Sequence, residues 1–487
     1  MKIISNKMTW ILRAGLPKQL ILNLALIFLG LTTFGNEGYK IKIQIEGISD
    51  SVCYLANYYG DKVYLADTAQ VQKKGLFIFE GSEALPGGIY IVAGQSNNQY
   101  FEFLVDKDQF FSVYTALPDL LQQIHFKNSP ENDLFYSYIN LSVKNRKEIE
   151  KLRNYKDLLK AGNDSISILN KQITRLNNQI AEHSDSIVQS NPGLFVSKLL
   201  DAMKEPGEIF TQQLALGNDS VYAYQYYKNH FWDNLNVADN RLLRTPLYHK
   251  RIEKFFGKVL YQNPDTINKE ADKFIEKAKA DKETYKYAIW YLTYKFETSK
   301  IMGFDEIFVH MVDNYYSLGE AYWADPSVVK SLAKRADALR NILIGSVAPE
   351  LILIDTSFNF VSLHHNEAPY MLVLFYEYDC GHCKKEISEI KNWLAEDSLG
   401  MKVFAVCTDT SINKWKQFIV NQKLEWVNVN GTRSVTPDYH TLYDIRSTPT
   451  LFLLNEKKEI IAKRILTAQM KPFLRNYHRN RQLIKDK

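Results

Sequence analysis

Cysteine is scarce in this chain. There are four in 487 residues, at positions 53, 380, 383 and 407, too few for a disulfide framework at this length. A strong charge of one sign is missing too. The formal net charge is +5, and Lys2, Lys7, Arg13 and Lys18 stand unopposed before residue 36, so the remainder is close to neutral. That balance leaves no electrostatic footprint for nucleic acid. The basic C-terminal end, from Lys463 to Lys487, reads as a solvated helix face and tail. Beyond residue 35 no apolar run is long enough to cross a bilayer. Internal repeats are absent, and so is a metal-ligand pattern. His364-His365 with Glu367 lies in a polar turn, and Cys380, His382 and Cys383 lack a fourth ligand.

What is present begins at the N-terminus. A basic stretch leads into the apolar run Leu20–Leu31 and then Thr33-Phe34-Gly35, the order of an export signal with a small-residue cleavage site. About fifteen residues of helix span about 22 Å, short of a bilayer's roughly 30 Å. Residues 1–35 are therefore read as a signal peptide cut near Gly35, the alternative being an uncleaved anchor. No cysteine follows the run, which argues against a lipoprotein. The expected location is the periplasm or cell envelope. For the rest, 46% apolar and 24% charged residues are ordinary for globular domains, and the length suggests about three.

Residues 36–129 carry a period of two. Ile41, Ile43 and Ile45 alternate with Lys42, Gln44 and Glu46, and further short apolar runs are separated by turn signals such as Tyr59-Gly60-Asp61 and Pro86-Gly87-Gly88. This predicts an antiparallel β-sandwich. From 130 to 344 the period becomes helical. Ile149, Leu152, Leu159, Ile166, Leu169, Ile173, Leu176 and Ile180 predict two long antiparallel helices, broken at Gly162-Asn163-Asp164. A coiled-coil homodimer through this region is the other reading. The aromatic residues Tyr222, Tyr224, Tyr226, Tyr227, Phe231 and Trp232 read as packing. Residues 345–487 alternate strand-like and helical runs, which predicts an α/β domain.

Within that last domain, Cys380-Gly381-His382-Cys383 follows the buried-strand run Met371–Tyr376. It precedes Ile387, Ile390 and Leu394 at helical spacing. The first cysteine thus stands where a strand hands over to a helix N-terminus. Unpaired N–H groups and the helix dipole favour an anion there, and the thiolate is the form that attacks disulfides. The second cysteine lies one turn on. Outside the cytosol an isolated pair of this kind reads as redox-active.

Residues 345 to about 478 resemble a thioredoxin-fold domain of the TlpA-like thiol–disulfide oxidoreductases. The resemblance rests on Gly345-x-x-Ala348-Pro349, a strand, Cys380-x-x-Cys383 at a helix start, and Ser447-Thr448-Pro449-Thr450 entering an apolar strand. The upstream parts resemble, more loosely, accessory domains of multidomain envelope members. The resemblance implies that Cys380 attacks a substrate disulfide and that Cys383 resolves the mixed disulfide. It implies a cis Pro449 that sets the Thr448 backbone beside the sulfurs to pair with an extended substrate. Gly381-His382 is the dipeptide of disulfide isomerases, and a cationic His382 would favour the Cys380 thiolate. Asp379 and Glu377 oppose it.

Three positions depart from the family's pattern, one being Asp379, where a tryptophan usually precedes the first cysteine. Leu374 stands where thioredoxins carry an acidic residue, and Ile354 where cytochrome-maturation reductases carry a buried glutamate. Asp355 and Glu377 are the candidate substitutes for proton handling. The implied cofactor is the cysteine pair itself. The implied partners are protein thiol or disulfide substrates and an upstream electron donor or acceptor, with the direction of exchange open. Two other classes compete: a non-catalytic envelope scaffold using the β and helical domains, and a thiol peroxidase. Glu377 and Val373 disfavour the latter, occupying positions where peroxiredoxins carry Thr or Ser and Pro.

Overall fold

The computed structural model describes residues 38–485, apart from 74, 96–97, 160–163, 205–206 and 397. The expected signal peptide and the Gly162-Asn163 break lie outside the described residues. The chain forms two compact units. One holds the residues up to 223 with 232–236 and 240–251, and the other holds 224–231, 237–239 and 252 onward. The span expected as a single helical domain, 130–344, is therefore shared between them.

In the first unit, eight strands form two four-stranded sheets. The strands are β1 (Tyr39–Glu46), β2 (Val52–Tyr59), β3 (Lys62–Gln70), β4 (Leu76–Gly81), β5 (Gly88–Gly94), β6 (Gln99–Val105), β7 (Phe110–Ala116) and β8 (His125–Lys127). Their orders are β4-β1-β7-β8 and β3-β2-β5-β6. The alternation in β1 does what its pattern predicts: Ile41, Ile43 and Ile45 are buried while Lys42 faces out. Phe103 and Phe111 meet edge to face with centroids 5.4 Å apart, joining the two sheets. One pairing departs from the antiparallel expectation, because β1 and β7 run parallel. A parallel pair needs a long crossover, and the chain supplies one by passing through the other sheet between these two strands.

The helices Pro130–Asp157 and Ser165–Ser190 lie antiparallel. Asn145 Nδ2 donates to the Leu176 carbonyl at 3.1 Å, and Ser137 Oγ is 3.0 Å from His183 Nε2. The first is tied to the β region. Buried Asn132 accepts from the Leu104 N–H at 2.7 Å and donates to its carbonyl at 2.8 Å, and Tyr136 Oη donates to the Glu102 carbonyl at 2.6 Å.

The second unit contains helices from Pro264–Ala278 to Pro326–Arg340, followed by a seven-stranded sheet. The sheet comprises β9 (Ile352–Ile354), β10 (Phe360–Ser362), β11 (Tyr370–Tyr376), β12 (Met401–Cys407), β13 (Val427–Ser434), β14 (Thr450–Asn455) and β15 (Ile460–Lys463). Its order is β10-β9-β13-β12-β11-β14-β15. β11 lies inside the sheet, parallel to β12 and antiparallel to β14. Every residue of it is buried, as a strand covered on both faces requires. The helices Gly381–Ala395, Ile412–Gln422 and Thr467–Lys485 accompany the sheet. Lys463 of β15 is almost fully buried, its ammonium held by Asp305 and by the Ile342 carbonyl. Among the described residues no helix is long and apolar enough to cross a membrane.

Candidate active site

β11 ends at Tyr376, and after four residues the chain enters the helix Gly381–Ala395. The intervening loop is pinned from the neighbouring strand's end. Tyr378 N–H donates to Asp409 Oδ2 at 2.9 Å, and Cys380 N–H donates to the Glu377 carbonyl at 3.4 Å. Cys380 is the N-cap, with extended backbone (φ −75°, ψ 120°). Its sulfur takes the place of the usual capping oxygen and accepts the Cys383 N–H at 3.2 Å. A thiolate in that position receives one of the helix's orphan donors and the positive end of its dipole.

The two cysteines differ sharply in setting. Cys380 is half-buried and open to a partner, whereas Cys383 is fully buried against Ile387, Ile390 and β11. Burial, and then the hydrogen bond with the Cys380 side chain, push the Cys383 thiol up to about 12. Both are free thiols. The loop before β14 also reaches the pair. The Thr448–Pro449 peptide bond is cis, and the Thr448 carbonyl lies 3.9 Å from the Cys380 sulfur as acceptor of its S–H. Thr450 Oγ1 donates to the Ser447 carbonyl at 2.6 Å and closes that loop.

So the fold brings Cys380, Cys383, Thr448 and Pro449 together. Gly381 and His382 are exposed in the first turn of the helix, and a Cβ built on Gly381 would meet nothing within 4 Å. The protein alone does not demand glycine there, and the space beside Gly381 is open. The Glu377 side chain is exposed. Asp355 is spent on its own turn, where Oδ1 accepts from Ser357 N–H at 2.7 Å and Asn359 N–H at 2.9 Å. Cys407 is buried at the end of β12, its thiol pushed up to about 12 by burial. Among the described residues no three of His, Cys, Asp and Glu gather into a metal-holding set.

Two residues near the pair escaped the sequence reading. Asp409 anchors the loop as described. Glu386, one turn beyond Cys383, is buried and accepts the Thr467 N–H at the start of the C-terminal helix. A signal for Glu386 was available, since it falls on the same helix face as Cys383, Ile387 and Ile390, and a lone carboxylate on an apolar stripe needs a partner.

Residues 344–463 match the AhpC/TSA family. Residues 39–135 and 215–334 match two domains of unknown function, DUF4369 and DUF5106. No curated protein matches the chain. Among solved structures, a domain of a possible thiol-disulfide isomerase from Cytophaga hutchinsonii is 33% identical, covering 29% of this chain and 97% of that one, with a TM-score of 0.28. The C-terminal domain belongs to the thioredoxin-like thiol–disulfide oxidoreductases. The thioredoxin domain of a thiol-disulfide oxidoreductase from Bacteroides vulgatus is 29% identical to it, over 28% of this oxidoreductase and 96% of that chain, with a TM-score of 0.26. A thioredoxin-like protein from Bacteroides caccae is 19% identical, over 52% and 92%, with a TM-score of 0.42.

Proposed function

We propose that this oxidoreductase exchanges disulfides with protein substrates in the cell envelope through Cys380 and Cys383. One observation carries the reading. A half-buried capping sulfur faces the carbonyl of Thr448 beside Pro449, while its partner cysteine lies buried one turn below. In the reducing direction the Cys380 thiolate attacks one sulfur of a substrate disulfide. The S–S bond breaks, and the substrate's other sulfur leaves as a thiolate and takes a proton. Cys383 then gives up its proton and attacks the Cys380 sulfur. The second substrate thiol is released, and the Cys380–Cys383 disulfide holds the two-electron deficit. A dithiol partner must reduce that disulfide for another round, and the oxidising direction is the same sequence reversed. The Thr448 backbone supplies main-chain groups to an extended substrate, and the open space over Gly381 admits it. The location follows from the basic-then-apolar order of residues 1–35.

The test is the reduction potential of the pair, read by thiol alkylation across glutathione and dithiothreitol buffers. A value near or above about −180 mV assigns isomerase or oxidase duty, and one near or below about −270 mV assigns a reductase. Cys383→Ser should accumulate mixed disulfides, and Cys380→Ser should form none. A pair that never cycles, with cellular function intact in the doubly substituted Cys380→Ser, Cys383→Ser protein, would replace this reading with the scaffold. Peroxide consumption that disappears with Cys380→Ser would replace it with a peroxidase.

A further inference from the structure

We infer that a cavity beside Pro449 selects acidic residues in the polypeptide substrate, an inference that rests on the exchange reaction proposed for Cys380 and Cys383. The cavity has a volume of about 250 Å³, and its lining includes Arg335, Asp444, Arg446, Pro449, Arg464 and Leu466. Three guanidinium groups thus face one carboxylate. Asp444 is buried and accepts from Arg446 Nε at 2.9 Å and from Arg464 Nη2 at 2.7 Å. Arg335 Nη1 donates to Glu297 at 2.9 Å, but Glu297 is outside the cavity lining. Arg335 Nε is buried and has no hydrogen-bond partner. In all, the three guanidinium groups meet two carboxylates, Asp444 and Glu297, and one positive charge is left over at the lining. Each guanidinium carries five N–H donors, of which Asp444 and Glu297 engage only a few. Their planar fork suits a carboxylate, bound through two parallel hydrogen bonds.

Position decides what kind of carboxylate can arrive. Ser447, Pro449 and Thr450 also line the cavity, and they flank Thr448, whose carbonyl lies at the Cys380 sulfur. An extended substrate advances about 3.3 Å per residue. A side chain within a few residues of the attacked cysteine therefore reaches the arginines. An aspartate or glutamate there is bound, and a lysine or arginine meets like charge. Arg335 lies on the helix Pro326–Arg340, upstream of the thioredoxin-like span. Selection is thus built partly by the helical segment, and a thioredoxin domain alone lacks that group.

The test uses the full chain and three disulfide-linked peptides that differ only in a glutamate, glutamine or lysine two residues from the cysteine. The glutamate peptide should exceed the glutamine peptide by about tenfold in kcat/KM, with the lysine peptide lowest. The ratio should shrink between about 50 mM and about 500 mM salt. Arg446→Gln, at a side chain 58% exposed and so tolerant of change, should bring the ratio towards one, and Arg335→Gln should lower it. A wild-type ratio near one, or a ratio untouched by both substitutions, overturns the inference. Binding of the labelled, reduced glutamate and glutamine peptides by fluorescence anisotropy judges the cavity independently of turnover. A glutamate preference lost in Arg446→Gln, in a protein that turns over neither peptide, would sustain the cavity and sink the exchange reading alone. Equal binding of both peptides would sink the cavity.

Discussion

At the scale of single residues, the dithiol pairs an accessible sulfur with an inaccessible one. Iodoacetamide at neutral pH should modify Cys380 first, leaving Cys53, Cys383 and Cys407 unmodified until denaturant is added, and peptide mass spectrometry reads this directly. Cys383 also makes a pH prediction. Its thiol is pushed up from an ordinary 9.0 to about 12, so the folded chain holds that proton more tightly than the unfolded chain. The resulting stabilisation is complete below about pH 9 and is lost as pH climbs through about 12. Urea midpoints measured from pH 8 to about pH 11 should fall more steeply for the wild type than for Cys383→Ala. These two cysteines and Pro449 were legible in the sequence because strand, helix start and loop each announce themselves locally. Arg335, Arg446 and Arg464 were not, since three separate segments contribute them and no local pattern links them.

At the scale of elements, local periodicity carried some strands and hid others. β1 and β11 were readable, one by alternation and the other as an unbroken apolar run. β13 went unread because its sequence, Val427-Asn-Val-Asn-Gly-Thr-Arg-Ser434, is polar for a strand inside a sheet. Its polarity has a use: buried Asn430 donates from Nδ2 to the Asp409 carbonyl at 2.9 Å, supporting the residue that pins the loop before Cys380. The helix Gly381–Ala395 is joined to the C-terminal helix by Glu386. Glu386→Ala should leave the Thr467 N–H unpaired and cost about 1–3 kcal/mol in urea unfolding, with Glu386→Gln milder. In the other unit, Asn132→Ala should cost a similar amount, about 1–3 kcal/mol, by stripping both partners from the Leu104 main chain.

At the scale of the whole molecule, the helical middle of the sequence divides between two units. The change from a period of two to a helical period marked where structure type changes. It did not mark which body each helix joins, because that choice depends on contacts such as Asn132 with Leu104 and Lys463 with Asp305. The second contact can be tested. Asp305→Ala would leave the Lys463 ammonium buried with only the Ile342 carbonyl, and breaking a buried pair costs about 3–5 kcal/mol. A chain beginning at residue 345 lacks both partners and should melt below one beginning near residue 252. The same lysine limits how the protein can be rebuilt or diversify. A foreign thioredoxin module spliced in at residue 345 would leave Asp305 facing whatever residue replaced Lys463, so the two positions must be exchanged together, as a lock travels with its key.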